Sequence, residues 1–456
     1  MAHQRTRPAA PERTRLTGIA APIFGEFVLG ITVAMGGLWL ASHEGDIAAG
    51  AFGLSQQVLE TLSVLFRVMA IGSGIVVTQL LGSGNRELVR HTALTVLSAC
   101  TWIGLVAAAW LLFTGDFTLN ILNAPAEVQP MARSYMMFLA PSMVLEACNL
   151  AMASILRAHL QARKSFWVMV VMHSTHLLLA VGLMRGWGSW DGLGIEGFAI
   201  AMFLSRALGL VLHLRLWRTG MQLQPTLRDW WYLRWQYLAP VLRIGVPGAA
   251  SEMFYRINFM VAMATTARLG VVALATSSYT LQTLKYVLLT SMAIGWACEI
   301  MVGRLVGARK LREADQLVRK GVRNGMLASG GLVLLAAISA PWLMRVFTRD
   351  PEIIHQAQVL LWISVVLELG RVFNLVVIGA LRATGDVHFP VKAGLISQAV
   401  LLGLGSYVLG RQFGLPGIWM AYVADECVRG WIMWLRWRQF GWLSEARRTV
   451  RTMARK

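Results

Sequence analysis

Residues 197–218 read GFAIAMFLSRALGLVLHLRLWR, and residues 417–438 read GIWMAYVADECVRGWIMWLRWR; the two stretches lie 220 residues apart and align without a gap. Upstream the duplication continues at a shift of 225: Pro22 meets Pro247, Gly45 meets Gly270, Gln57 meets Gln282 and Gly82 meets Gly307. Further along, Glu127 meets Glu352, Asn149-Leu150 meets Asn374-Leu375, and Leu156-Arg157 meets Leu381-Arg382. Self-similarity at one fixed period means that the chain is two copies of one structural unit.

What each copy contains follows from composition. Of the 456 residues, 56% are hydrophobic and 14% charged, against about 45–50% and about 25% in soluble domains. The excess lies in blocks such as LVAAAWLLFTG and LLGLGSYVLG, and a bilayer crossing takes roughly 20 mostly apolar residues. Twelve spans are predicted, at 17–41, 50–81, 92–114, 131–157, 165–184, 194–217, 240–266, 275–306, 321–347, 353–381, 390–410 and 416–437. Each copy holds six. An even number makes both copies enter the membrane in the same direction, related by a pseudo-twofold axis along the membrane normal. The expected fold is an all-α polytopic membrane protein with an N-terminal tail (1–16), a first lobe (17–217), a linker (218–239), a second lobe (240–437) and a basic tail (438–456). The linker mixes Trp and Tyr with Arg, in TLRDWWYLRWQYLAP (226–240), and is expected to lie in the membrane interface.

The formal net charge is +19. Most of the Lys and Arg sit in or beside the termini and the even-numbered loops, such as GSGNRELVRH (82–91) and GARKLREADQLVRK (307–320). Cytoplasmic loops collect such residues, so both termini are expected in the cytoplasm, and the charge follows topology rather than nucleic-acid binding. The four cysteines, Cys100, Cys148, Cys298 and Cys427, lie in apolar spans and imply no disulfide framework. The N-terminus shows no cleaved-signal pattern, and the first span is the expected insertion signal.

Several stretches carry a family likeness: AAPIFGEF opening span 1, GVPGAASE opening span 7, AFGLSQQ in span 2, TQLLGSGNRE and GRLVGARKLREA after spans 2 and 8, and LRATGDVHFP after span 10. In this order and duplication the chain resembles the multidrug and toxic compound extrusion (MATE) transporters over nearly its whole length. The resemblance implies a V-shaped two-lobe bundle that exports organic, often cationic, compounds. It also implies that inward flow of H+ or Na+ drives export, with no other cofactor and no ATP. No GxxxxGK[ST] loop is present. The family's span-1 Asp would fall at Gly36 or Gly37 in VAMGGLWLAS, where this chain has no acid. The implied setting is a bacterial inner membrane, with the protein a monomer in lipid handling small organic molecules.

A charge at the bilayer centre costs about 2.5–3.5 kcal/mol on insertion scales, so such groups face protein or water and take partners. Acids in the spans are Glu26, Glu60, Glu146, Glu252, Glu299, Glu368, Asp425 and Glu426; bases are Arg67, Arg206, Arg256, Lys285, Arg371 and Arg429. The repeat reverses sign three times: Glu60 corresponds to Lys285, Glu146 to Arg371, and Arg206 to Glu426. Each lobe is therefore expected to close its own pair, Glu146 with Arg206 and Arg371 with Glu426, while Glu60 and Lys285 are candidates for a gate across the cleft. Glu252 and Arg256 are spaced i, i+4 and can pair locally. Glu26 has no neighbouring base in the sequence, which makes it the first candidate for proton or cation coupling. Glu252 follows, and Glu299 and Glu368 come after it.

Other signals have plain readings. GLGIEG (192–197) fits GxGxxG but follows no strand, so it is a turn. His173 and His176, spaced i, i+3, are expected as a buried hydrogen-bonded pair rather than a metal site. Trp39 and Trp296 are candidates for an aromatic cleft wall. The alternative to a drug exporter is a flippase for lipid-linked oligosaccharides, to whose anionic headgroup the intramembrane bases would be suited. An enzyme is not expected, since no nucleophile–base pair or metal cluster is recognisable.

Overall fold

The computed structural model describes residues 16–186 and 191–454; the N-terminal tail through residue 15 lies outside them. The first repeat forms α1 (Leu16–His43), α2 (Asp46–Ser83), α3 (Arg86–Phe113), a short α4 (Gly115–Ile121), α5 (Gln129–Ala158), α6 (Ala162–Arg185) and α7 (Gly194–Met221). A 3₁₀ turn, Leu227–Trp230, leads to the second repeat: α8 (Trp235–Arg268), α9 (Val271–Gly307), α10 (Leu311–Ile338), a short α11 (Ala340–Arg345) and α12 (Pro351–Thr384). There follow α13 (His388–Ser397), a π-helical stretch (Gln398–Leu404), α14 (Gly405–Arg438) and a terminal α15 (Leu443–Ala454).

Ten of the described helical runs are long and apolar enough to cross a membrane. One of them, His388–Arg438, is 51 residues long. At 1.5 Å per residue that is more than twice a bilayer core. It breaks at Gly414, whose φ of +64° and ψ of −144° leave the helix. Pro416 follows and cannot supply a main-chain donor. The run is thus two spans, and α8 completes the twelve. The outer surface is apolar where a soluble protein's would be polar: Phe113 is 83% exposed and Leu178 76%. Such surface is stable against lipid, not water.

The duplication reaches detail that the sequence reading missed. The short helices α4 and α11 begin at Gly115 and Ala340, 225 residues apart. At 7 and 6 residues neither is long enough to cross a membrane. Repeat-related Gly45 and Gly270 have φ of +121° and +102°, so the same left-handed residue turns the chain between the first two spans of each copy. The predicted span 321–347 is shifted: α10 starts at Leu311 and ends at Ile338. Its first turns bury only one stripe, Ala314 and Val318, and expose charge elsewhere, so their composition hides the helix.

By packing, the described chain falls into two compact units. One comprises the residues up to Phe24, Thr78–Glu87 and the chain from Ser251 onward; the other comprises Gly25–Val77 and Leu88–Ala250. In the former, α12 is the central helix, packed on α9, α10 and α14. The end of α2 joins it there: Gln79 Nε2 donates to the Ala383 carbonyl at 2.8 Å. Repeat-related Gly82 and Gly307 let the ends of α2 and α9 touch main chain to main chain. In the latter unit α7 packs against α5 and α6, and Gly72 and Gly245 bring α2 onto the start of α8 in the same way.

The linker exposes several large apolar and aromatic side chains. Leu227, Trp231, Tyr232 and Trp235 are 85%, 54%, 49% and 69% exposed. The guanidiniums of Arg228 and Arg234 lie 4.9 and 5.6 Å from the Tyr232 ring centre. Asp229 accepts from the Thr226 amide at 2.9 Å and from its hydroxyl at 2.7 Å. Burial alone would raise the Asp229 pKa, but these bonds, with Arg234 and Arg90 nearby, hold it below its ordinary value.

Candidate functional site: buried charge in the two helical units

In the unit built on α5–α7, polar residues on α5 share one face because they recur at helical spacing: Ser142, Glu146, Asn149 and, two turns on, Arg157. Glu146 and Arg206 of α7 form an ion pair, as the sign reversal in the repeat requires. Asn149 Nδ2 donates to the Arg206 carbonyl at 2.8 Å. Its Oδ1 is therefore turned toward His213 Nδ1, also at 2.8 Å, which makes that imidazole nitrogen the donor.

One expectation fails here. Glu26 does not stand without a base: Arg157 Nη1 lies 2.8 Å from Glu26 Oε2, and both side chains are less than 10% exposed. Arg157 closes α5, 131 residues away, so local spacing could not reveal it. A second expectation fails for the histidines. His173 and His176 are buried and within electrostatic range of Arg206, but no hydrogen bond joins them. His176 packs edge-on against Phe198 at 4.5 Å. Phe198 also meets Phe52 at 5.2 Å in a T-shaped contact, and both rings close over Gly37, where a Cβ would lie 2.7 Å from one and 2.9 Å from the other. The space next to the family's span-1 acid position is thus filled by aromatic rings. Trp39 is 55% exposed and takes the Arg185 guanidinium at 5.6 Å.

The other unit holds the larger cluster. Ser364, Glu368, Arg371 and Asn374 line one face of α12, while Tyr422, Asp425, Glu426 and Arg429 line α14; all eight are buried. Arg371 pairs with Glu368 and places Nε 3.5 Å from Glu426 Oε1. Arg429 Nη2 lies 3.0 Å from both Asp425 Oδ2 and Glu426 Oε2. Asn374 Nδ2 donates to Glu426 Oε2 at 2.7 Å, and Ser397 Oγ donates to Asp425 Oδ1 at 2.6 Å. The Tyr255 ring of α8 lies 5.9 Å from the Arg429 guanidinium. Ionised, the cluster holds three carboxylates against two guanidiniums. The repeat pairs Arg371 with Glu426 alone, and Glu368 is its second partner.

Nearer the end of α12, Arg382 Nη2 pairs with Glu299 Oε2 of α9 at 2.7 Å, and Glu252 lies close enough to act electrostatically on both. Repeat-related Arg157 and Arg382 thus each hold a glutamate, but from different helices. Both arginines stood at or just past the predicted span ends. The duplicated Leu-Arg, at 156–157 and 381–382, was the signal that they were structural equivalents. Glu252 is half-buried and Arg256 exposed on α8; Glu60 on α2 and Lys285 on α9 are exposed. Among the described residues no group of His, Cys, Asp and Glu is arranged to hold a metal ion.

Comparison with known proteins fits this arrangement. The chain is 27% identical over 435 residues to the uncharacterized transporter YisQ of Bacillus subtilis, covering 94% of this chain and 95% of that one. It is 23% identical to the probable multidrug resistance protein NorM of Thermotoga maritima, with 91% and 90% covered. The fold superposes on the MATE transporter VcmN of Vibrio cholerae in its bent form with a TM-score of 0.82 at 18% identity, over 96% of this chain and 97% of that one. The MatE family profile matches twice, over residues 22–181 and 247–408, once in each repeat. The chain therefore belongs to the MatE family and is a multi-pass membrane transporter of small molecules, not an enzyme.

Proposed function

We propose that this transporter exports organic, cationic or amphiphilic compounds by antiport against H+ or Na+, and that the α12–α14 cluster holds the coupling cation. The carrying observation is the charge count: Glu368, Asp425 and Glu426 against Arg371 and Arg429, with none of the five more than 8% exposed. A buried carboxylate without a balancing charge is costly, so the cluster favours binding one further cation. Glu252, Glu299 and Arg382 are proposed as a second station on the same path. In the other unit the buried Glu26 and the half-buried Glu146 are each matched by an arginine, so Glu26 is assigned a structural role. The Thermotoga maritima relative is named a probable multidrug resistance protein, which supports the choice of cargo. The distribution of basic loops supports cytoplasmic termini in the cell membrane, and the protein is taken as a monomer.

The test is uptake of a fluorescent organic cation into proteoliposomes, with proton and sodium gradients imposed separately. One gradient is expected to drive uptake in the wild type. Glu368→Gln should lower that uptake at least about tenfold, the scale of one lost ion interaction; Glu26→Gln should lower yield and thermal stability more than uptake per folded molecule. Full coupled uptake by Glu368→Gln would remove the cluster from the mechanism. Movement of a lipid-linked oligosaccharide with no cation uptake would replace the exporter reading with a flippase.

A further inference from the structure

The first half of α10 carries Arg319, Lys320 and Arg323, and an apolar run from Met326 to Ile338 follows directly. The switch from charge to hydrocarbon within two turns places Arg319 and Arg323 at the level where lipid headgroups meet acyl chains. At this height the α10–α12–α14 side of the unit has a groove of about 470 Å³. That is within the usual range of small-ligand clefts, about 300–1,000 Å³. Arg319 and Arg323 line one end, and Met326, Leu327, Phe373 and Trp434 supply apolar wall.

The basic end is built rather than incidental. Asp315 Oδ2 holds Arg319 Nε at 2.9 Å and is itself anchored by Trp437 Nε1 at 2.9 Å. The Arg319 guanidinium then lies 5.4 Å from the Trp434 ring centre, and Trp434 meets Phe373 edge-on at 5.7 Å. Arg323, one turn on, is exposed and has no ion-pair partner among the described residues. Leu327, one further turn along the same line, is 71% exposed. Positions 319, 323 and 327 thus run from charge to hydrocarbon over about 12 Å of one helix face.

We infer that this groove binds one anionic phospholipid, with its phosphate on Arg323 and Arg319 and an acyl chain along Leu327, Met326 and Phe373. The polarity of the groove matches a molecule with one anionic end and one long apolar end. A free phosphate would leave the apolar wall uncovered. No carboxylate lines the groove to receive the quaternary ammonium of a choline headgroup, which favours an acidic lipid over a zwitterionic one. Basic pockets between membrane helices at headgroup level are recurrent sites for such lipids. The site is separate from the buried cluster of Arg371 and Glu426 and does not depend on which ion that cluster couples.

Native mass spectrometry of the full chain in detergent would test this, titrating dioleoyl phosphatidylglycerol, dioleoyl phosphatidylcholine and inorganic phosphate. One phosphatidylglycerol is expected to bind in preference to phosphatidylcholine. A basic side chain near an anionic surface contributes about 1 kcal/mol, or roughly fivefold. Arg323→Gln should therefore weaken phosphatidylglycerol about fivefold, and Arg319→Gln with Arg323→Gln about 30-fold. The Arg319→Lys, Arg323→Lys chain should keep most of the binding. Arg447→Gln with Arg451→Gln, exposed on α15, should leave it unchanged. Equal affinity for the two lipids, an equal loss from the α15 pair, or displacement of phosphatidylglycerol by equimolar inorganic phosphate would each overturn the assignment.

Discussion

Arg371→Met should lower the stability of the folded protein by about 3–5 kcal/mol, the range found when one partner of a buried ion pair is removed. Arg371 serves Glu368 and Glu426 together. Its loss leaves Glu426 with Arg429 and Asn374, but leaves Glu368, which is 0% exposed, without its guanidinium. The damage should therefore centre on Glu368, and adding Glu368→Gln to the same chain should recover part of it. Arg371→Lys should fall between, because a point charge cannot reach two carboxylates as a planar fork does. Lys285→Met, at an exposed position on α9, should stay within about 0.5 kcal/mol. Thermal unfolding in detergent, followed by tryptophan emission, measures the set. A Tm for Arg371→Met no lower than that for Lys285→Met would show that the cluster is not held by its arginine.

Gly307→Val should be as damaging for a steric reason. A Cβ at Gly307 runs into the Gln79 carbonyl oxygen and comes within 3.0 Å of Gly82 Cα; one at Gly82 runs into the Arg304 carbonyl. The obstacle in each case is main chain, which cannot swing aside as a side chain can. Overpacking commonly costs about 1–3 kcal/mol, and a clash that must move a helix belongs at or above the upper end. Gly82→Val should behave like Gly307→Val, since the two face the same crossing. Gly331→Ala in α10, where a Cβ meets nothing within 4 Å, should be neutral or slightly stabilising. Yield of monodisperse protein and Tm read the difference. Normal yield from Gly307→Val would mean that the ends of α2 and α9 do not touch as described.

Much of the buried charge was legible because the repeat acts as an internal comparison. Glu146 and Arg206 are distant in sequence, yet the reversed signs at Arg371 and Glu426 marked both pairs. Glu26 shows the limit: its partner Arg157 lies at the far end of another span, where a basic residue reads as a headgroup anchor. Glu368 was visible as an acid in a span, but its sharing of Arg371 depends on rotamers that spacing does not fix. For His173 and His176 the i, i+3 spacing is enough to indicate a buried pair, but it allows contact without deciding what each ring packs against, and His176 meets Phe198.

The sequence by itself determined the duplication, the family and most of the spans, because lipid and helix length act locally and identically in each copy. Only the tertiary structure decided which arginine holds which carboxylate, that Phe52 and Phe198 close over Gly37, and that three acids share two guanidiniums between α12 and α14. Those outcomes depend on the rotation and depth at which separate helices pack, and packing is set by all their side chains together.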